Sequence, residues 1–123
     1  MPQRAYVPLE CTQNDPYTLI VPMQDATLAP IGVYPDGTKI YPPRNLTGCT
    51  FEGTAKPGWN SDVLFPFDSI VVNTTDHQVE FSFIGATTDS MPLDNIYDLV
   101  ETTGGGRFTF QGGPFVVRRK VTP

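Results

Sequence analysis

The sequence predicts an all-β protein, a single antiparallel β-sandwich of about eight strands. Apolar and polar residues alternate in several short segments, as they do in strands that bury one face. Helical periodicity is nearly absent, and 13 prolines and 11 glycines are spread along the chain, where they favour turns. With 123 residues and no low-complexity linker, residues 1–123 are expected to form one domain with its own hydrophobic core.

Three segments carry the alternation that defines the core strands. They are residues 17–23, residues 49–55 and residues 78–84, in each of which every second side chain is apolar or small. A fourth segment, SDVLFPFDSIVVN, contains Pro66, which restricts that part of the strand to a sheet edge or a bulge. The predicted core residues are Tyr17, Leu19, Val21, Phe51, Val79, Phe81, Leu99 and Phe108.

Two segments are predicted to extend beyond the sandwich. IGVYPDGTKIY, residues 31–41, contains Asp36-Gly37, a pair that favours the positive φ angles of a tight hairpin turn. Prolines on both sides of it keep the backbone extended, so the hairpin is expected to project. Residues 1–8, which also contain prolines, are predicted to form an extended N-terminal arm.

The glycine-rich stretch IYDLVETTGGGRFTFQGGPFVV, residues 96–117, is predicted to be a hairpin and not a phosphate-binding loop. A phosphate loop needs a helix after its glycines, whereas these glycines are followed by the alternating residues of a strand. Residues 104–106 are therefore the predicted turn, and Gly112-Gly113 a predicted bulge or bend. The one helical candidate, TTDSMPLDNI, is interrupted by Pro92 and is limited to a single turn.

The charge balance argues against two classes of partner. The net charge is −5 and the pI is about 4.5, so nucleic acid and anionic membrane surfaces are not expected to bind. No apolar run approaches the roughly 18–20 residues that a membrane span requires, and the first residues lack the apolar centre of a signal peptide. The one basic cluster, Arg118-Arg119-Lys120, is interpreted as the solvated end of an edge strand or as a contact with a partner protein.

The residues that could perform chemistry do not form a recognisable site. His77 is the only histidine, and it is expected in a solvated loop. Asp89, Asp94, Asp98 and Glu101 match no calcium-loop spacing and are interpreted as structural. No catalytic residue, metal or cofactor is therefore predicted, and the chain is not expected to be an enzyme.

The cysteines and the tryptophan have structural interpretations of their own. Cys11 and Cys49 are expected to be buried free thiols in preference to a disulfide. Trp59, the only tryptophan, either covers the open end of the core or forms an exposed contact site, and the sequence leaves both open.

The order of these turns and strands resembles small structural proteins of tailed bacteriophages that have an Ig-like sandwich. The chain is similar to the N-terminal module of upper-baseplate proteins over roughly residues 9–123. TQNDPYTLIVPMQD and NLTGCTFEG match in the first half, and APIGVYPDGTKIYPPR stands between them as an insertion. In the second half the matching elements are Thr87 to Pro92, Tyr97-Asp98-Leu99, Gly104 to Gly106, Gly112-Gly113 and Val121-Thr122.

The resemblance implies a non-enzymatic virion component with an Ig-like fold. The expected role is an adaptor in the tail, baseplate or neck, present in several copies as a ring or symmetric array and bound to other virion structural proteins. A capsid decoration or cement protein is the second hypothesis, and a carbohydrate-binding module for the host surface is the third. The predicted contact segments at the two ends of the chain are residues 1–8 and 118–123. The individual contact residues predicted are Tyr34, Pro35, Asp36, Gly37, Trp59, Arg118, Arg119 and Lys120.

Overall fold

The computed structural model describes residues 5–121. In that part of the chain there are eleven strands and one short helix. Their bounds are β1 Ala5–Tyr6, β2 Leu9–Thr12, β3 Tyr17–Pro22, β4 Gly32–Val33, β5 Lys39–Ile40, β6 Thr50–Lys56, β7 Phe65–Pro66, β8 Ser69–Asn73, β9 Gln78–Phe83, α1 Gly85–Ser90, β10 Asp94–Thr103 and β11 Gly106–Arg118.

The strands form two facing sheets, which confirms the predicted sandwich. One sheet has the order β1-β11-β10-β6-β7, with β2 also paired to β11, and the other has the order β3-β9-β8. Because β1 and β2 both run parallel to β11, they are two parts of one interrupted strand. Counted in this way the two sheets contain eight strands, in an order that matches an immunoglobulin sandwich. The ribbon β4-β5 lies outside both sheets.

Of the predicted N-terminal arm, residues 1–4 lie outside the described residues. The described part does not project, since Ala5 and Tyr6 pair with Gln111 and Gly112 of β11. Pairing here covers backbone groups that an open sheet edge would expose. The predicted contact segment 118–123 is described only as far as Val121.

Aromatic rings fill the space between the sheets. Phe83 of β9 stacks on Phe67 with ring centroids 4.1 Å apart, and it meets Phe115 of the opposite sheet edge-on at 5.7 Å. Phe67 also contacts Phe81, at 5.5 Å. These contacts join the two sheets through one continuous cluster, so the core is a single unit.

Seven of the eight predicted core residues belong to this cluster or pack against it. Phe51, Val79, Phe81 and Leu99 are buried, as predicted. The β3 residues are only half-buried because β3 is an edge strand with a neighbour on one side alone. These are Tyr17, Leu19 and Val21.

The prediction that Phe108 is a core residue is wrong, because Phe108 lies only three residues after Gly105 of the turn and the core cluster does not reach it. Leu99 pairs with Gln111 but Val100 pairs with Thr109, so Phe110 is the extra residue of β11. Phe108 pairs with Glu101 and shares its face, but it is Phe110 that packs against Phe51, with a ring distance of 5.9 Å. Phe108 stays half-buried outside the core cluster.

The first glycine run forms the predicted turn, whereas the second does not form a bulge. Gly104 and Gly105 have φ angles of +59° and +82° and form the turn between β10 and β11. At Gly112-Gly113, however, β11 continues through both residues without a bulge. A Cβ atom on Gly113 would lie 2.9 Å from the carbonyl oxygen of Val7, so glycine is needed there for the close approach of the first strand.

The remaining local predictions hold with small shifts. Pro66 lies in β7, an edge strand, as its missing N–H requires. The predicted helical turn is α1, which begins at Gly85 and ends before Pro92. Cys11 is buried and Cys49 is half-buried, and both are free thiols. Burial raises the pKa of the Cys11 thiol to about 11, so it remains protonated at neutral pH.

The stability of the fold should depend strongly on Phe81, which is fully buried and in ring contact with Phe67. Phe81→Ala should lower the free energy of unfolding by roughly 3–5 kcal/mol, because it removes a ring and leaves a cavity. Urea unfolding monitored by circular dichroism measures this. Val71→Ala, at an exposed position of β8, is the control and should unfold nearly as the parent does. Equal stability of the two variants would contradict the assigned strand faces.

Candidate functional site

Residues 23–44 leave the sandwich after β3 and return before β6, and we call this segment the arm. Its two sides are held together by a ladder of backbone hydrogen bonds. Arg44 N–H donates to Met23 O at 3.1 Å, Asp25 N–H to Pro42 O at 2.8 Å and Ile31 N–H to Ile40 O at 2.7 Å. The predicted hairpin, residues 31–41, is the outer half of the arm, with β4 and β5 paired around its turn.

The turn at the tip of the arm differs from the predicted one. Gly37 has a φ of +92°, whereas Asp36 does not have a positive φ. Gly37 N–H donates to Tyr34 O at 2.9 Å, and Tyr34 N–H donates to Thr38 O at 2.8 Å. The loop therefore has three residues, starting at Pro35, and only its last residue is left-handed. Backbone and side-chain hydrogen bonds from Thr38 hold the pKa of Asp36 below its usual range.

The outer half of the arm exposes apolar side chains. Ile31 is 67% exposed and Val33 is 62% exposed, while Tyr34 is about half exposed. Ile31 and Val33 are two residues apart and so lie on one face of the ribbon. Lys39 lies directly opposite Val33. An apolar surface of this kind on a projecting segment is typical of a protein contact site.

The base of the arm is fixed by a buried ion pair, which we call the clamp. It consists of Arg44, Glu101, Thr103 and Cys49. The guanidinium of Arg44 donates to both carboxylate oxygens of Glu101, at 2.5 Å to Oε1 and with a shorter contact to Oε2. Thr103 Oγ1 donates to the same carboxylate at 2.5 Å, and Arg44 Nη2 lies 3.6 Å from Cys49 Sγ. The Glu101 side chain has no exposed surface, whereas that of Arg44 is 23% exposed.

Glu101 remains charged in spite of its burial. Burial alone raises the pKa of its carboxyl group, but the hydrogen bonds from Arg44 and Thr103 outweigh that effect and bring the pKa below its ordinary value. The same hydrogen bond raises the pKa of Arg44. Both groups are therefore ionised at neutral pH, and the pair is a bidentate salt bridge.

His77 joins the arm to the second sheet. It lies in the turn between β8 and β9, with a φ of +55°, and its Nδ1 is 2.9 Å from the carbonyl oxygen of Arg44. The backbone carbonyl of His77 accepts a hydrogen bond from Met23 N–H at 2.9 Å. His77 therefore lies in a loop as predicted, but it is half-buried against the base of the arm and not fully solvated.

The second exposed apolar surface is a groove around Trp59, which we call the groove. Its lining residues include Tyr6, Thr54, Lys56, Trp59, Leu64, Ile96, Asp98 and Pro114. Two adjoining hollows of about 240 Å³ and about 510 Å³ share Trp59 and Ile96. Trp59 is 70% exposed, so it does not cover the core.

Local structure explains why the groove is apolar and how Trp59 is held. Tyr97 and Leu99 point into the core, so Ile96 and Asp98 must face outward from β10. Lys56 Nζ donates to the carbonyl oxygen of Trp59 at 3.0 Å and lies 5.8 Å from the centre of its ring. This contact combines a hydrogen bond with a cation–π interaction and holds the loop beside the groove.

The basic cluster at the end of β11 is paired with acidic residues. Arg118 forms an ion pair with Glu10, and Lys120 Nζ lies 2.8 Å from Asp15 Oδ1. Arg119 is exposed. The interpretation of this cluster as an edge strand is wrong, because β11 lies between β10 and β2. Exposed pairs of this kind contribute little stability.

The acidic residues singled out in the sequence do not converge. Asp89 and Asp94 are exposed, Asp98 faces the groove, and Glu101 points inward to the clamp. Among residues 5–121 no group of three or more histidine, cysteine or acidic side chains is placed to hold a metal ion. In the same range no helix has the length and hydropathy of a membrane span.

Comparison of the chain with protein families and with curated proteins finds no match.

The clamp and the groove were not predicted from the sequence, although the clamp left a signal in it. Glu101 follows Tyr97 and Leu99 at the inward positions of β10, and a carboxylate at such a position requires a buried partner. That its partner is Arg44 depends on the course of the arm, which local sequence does not specify. The groove brings together Tyr6, Trp59 and Pro114 from three distant parts of the chain, and no local pattern predicts that.

The clamp should make stability depend on pH in a predictable direction. Because the folded-state pKa of Glu101 is lowered, its carboxylate stabilises the fold above the ordinary value of 4.5, and this stabilisation is lost as the pH falls through the folded-state pKa. Glu101→Gln should cost, at neutral pH, the lower end of the roughly 3–5 kcal/mol for breaking a buried pair, because Arg44 keeps some contact with water. The difference from the parent should shrink below pH 4.5.

Urea unfolding of both proteins from neutral to acidic pH measures this effect. Glu52→Gln is the matched control, since Glu52 forms an exposed pair with Arg107 at 2.9 Å on the same sheet. It should change the free energy of unfolding by less than about 1 kcal/mol at any pH. A Glu101→Gln penalty that is as small as that of the control, or that is independent of pH, would contradict the assignment of the clamp as a buried ionised pair.

Proposed function

We propose that the protein is a non-enzymatic structural component of a tailed-phage virion. In this proposal it is an adaptor in the tail, baseplate or neck that joins larger structural proteins. It is present in several copies, in a ring or symmetric array, and its partners are proteins and not nucleic acid or membrane. The resemblance of its turn and strand order to phage sandwich proteins supports the class of protein.

The observation that carries the proposal is the arm. Its base is fixed to both sheets by the clamp and by His77, while its tip exposes Ile31, Val33 and Tyr34. A fixed base lowers the entropy lost on binding, and an apolar tip supplies the contact area. Such a combination suits assembly with other proteins.

A capsid decoration or cement protein is the second candidate, and the same arm would serve it. The two roles differ in the number of copies per particle. A tail, baseplate or neck ring holds a small number set by its symmetry, about 6 or 12 for example, whereas a capsid lattice holds hundreds. Quantitative mass spectrometry of purified particles, with a tail protein and the capsid protein as internal references, distinguishes them.

A carbohydrate-binding module is favoured by one observation, the position of Trp59. The exposed ring lies beside Asp98, Lys56 and Thr54, a combination of aromatic and polar groups that can bind a sugar. If this were the role, Trp59→Ala would leave the protein in the particle and reduce adsorption to the host. The adaptor role requires that adsorption by such particles be unchanged.

The adaptor proposal is tested by shortening the arm. Deletion of residues 32–41, which removes β4, the turn and β5, should leave a folded domain because the clamp and both sheets are retained. This variant should be absent from particles assembled in its presence, as detected by immunoblot of gradient-purified virions. Val71→Asp, which alters an exposed valine on β8, is the control and should be incorporated normally. Normal incorporation of the shortened protein would refute the proposal.

A further inference from the structure

The arm and the groove lie at opposite ends of the same sheet. On β10, Glu101 anchors the base of the arm, whereas Ile96 lines the groove five residues earlier, about 17 Å away along a strand. On β6 the residues opposite these two are Phe51 and Lys56, at the two ends of the strand. The arm extends from the end of the sheet that contains Glu101. Val33 on the arm and Trp59 at the groove are both more than half exposed. The two surfaces therefore do not cover each other within one chain.

The chemistry of the two surfaces is complementary. The groove has apolar walls, formed by Trp59, Leu64 and Ile96 among others, with one cation, Lys56, and one anion, Asp98, beside them. The tip of the arm is a projecting surface that also combines apolar side chains with one anion and one cation. Its apolar residues are Ile31, Val33 and Tyr34, and its charges are one anion, Asp36, and one cation, Lys39.

The outer part of the arm also lacks the packing that a hairpin of its size needs. β4 and β5 have two residues each and pair only with each other among the described strands. A two-stranded hairpin is marginally stable in water at best unless it packs against another surface. The apolar face that contains Ile31 and Val33 is the part that such a surface would cover.

We propose that the arm of one copy binds in the groove of a second copy, head to tail. This inference rests on the proposed assembly function and names a second copy of this chain as the partner of the arm. Because different surfaces of each copy meet, the contact is heterologous and can repeat, which gives a closed ring when the rotation between copies closes and a filament when it does not. Trp59 and Tyr34 are residues of the kind that dominate such contacts.

The experiment uses two variants, each of which damages one surface only. Val33→Asp places a charge on the arm, and Trp59→Asp places a charge in the groove, in both cases at exposed positions where the fold should be retained. Circular dichroism and thermal unfolding check the fold, and sedimentation velocity over a range of concentrations measures association. The parent chain should associate, and each variant alone should associate at least about tenfold more weakly.

The decisive sample is the mixture of the two variants. The Val33→Asp chain keeps its groove and the Trp59→Asp chain keeps its arm, so one intact contact can form between them. The mixture should therefore contain a heterodimer that does not grow further. Val71→Asp, which introduces the same charge outside both surfaces, is the control and should associate as the parent does.

Three results would overturn the inference. These are a parent chain that stays monomeric at about millimolar concentration, a single variant that associates like the parent, or a mixture that contains monomers alone. Each would leave the adaptor proposal standing, since the arm could still bind a different virion protein. Failure of the adaptor proposal would instead appear as normal incorporation of the chain that lacks residues 32–41.

Discussion

The ion pair between Arg44 and Glu101 attaches the arm to the larger sheet of the sandwich. Glu101 belongs to the five-stranded face of the sandwich, and Arg44 belongs to the arm. The backbone of Arg44 also contacts Met23 at the start of the arm and His77 in the turn of the second sheet. Neither the Arg44 guanidinium nor the Glu101 carboxylate could be buried without the other, because an unpaired buried charge costs several kcal/mol. The direction of the arm is therefore fixed where the arm begins, although the apolar side chains at its tip are exposed.

A buried ion pair is a costly way to attach a loop if stability is the only requirement. Apolar residues of similar volume would often stabilise the fold as well or better. What the pair adds is direction, since the two parallel hydrogen bonds of an Arg–carboxylate contact allow one geometry. We interpret the clamp as a device for orientation, which is consistent with an arm that acts on another molecule. The groove at the opposite end of the sheet needs a fixed shape in order to bind a partner, and the contact between Lys56 and Trp59 maintains that shape.

The sandwich could be predicted from the sequence because its signals are local. Alternation placed Val79, Phe81 and Leu99 in the core, and Gly104-Gly105 marked a turn that needs positive φ angles. Phe108 was wrongly predicted as a core residue because alternation gives the face of a side chain but not how far the core extends towards the turn. Of the candidate site, the arm was predicted as a proline-flanked hairpin and Trp59 as a possible contact. The clamp and the groove were not predicted, since each joins residues that are distant in sequence.

Hydrogen exchange measured by mass spectrometry at low and high protein concentration tests the account most directly. Amides at the base of the arm, such as those of Asp25 and Arg44, are hydrogen-bonded and should exchange slowly at both concentrations. Residues 31–40, whose hydrogen bonds belong to a marginally stable two-stranded hairpin, and the loop around Trp59 should exchange faster than the base in dilute protein. Both should slow together when copies associate. Fast exchange at the base of the arm, or slowing of one of the two surfaces without the other, would contradict the account.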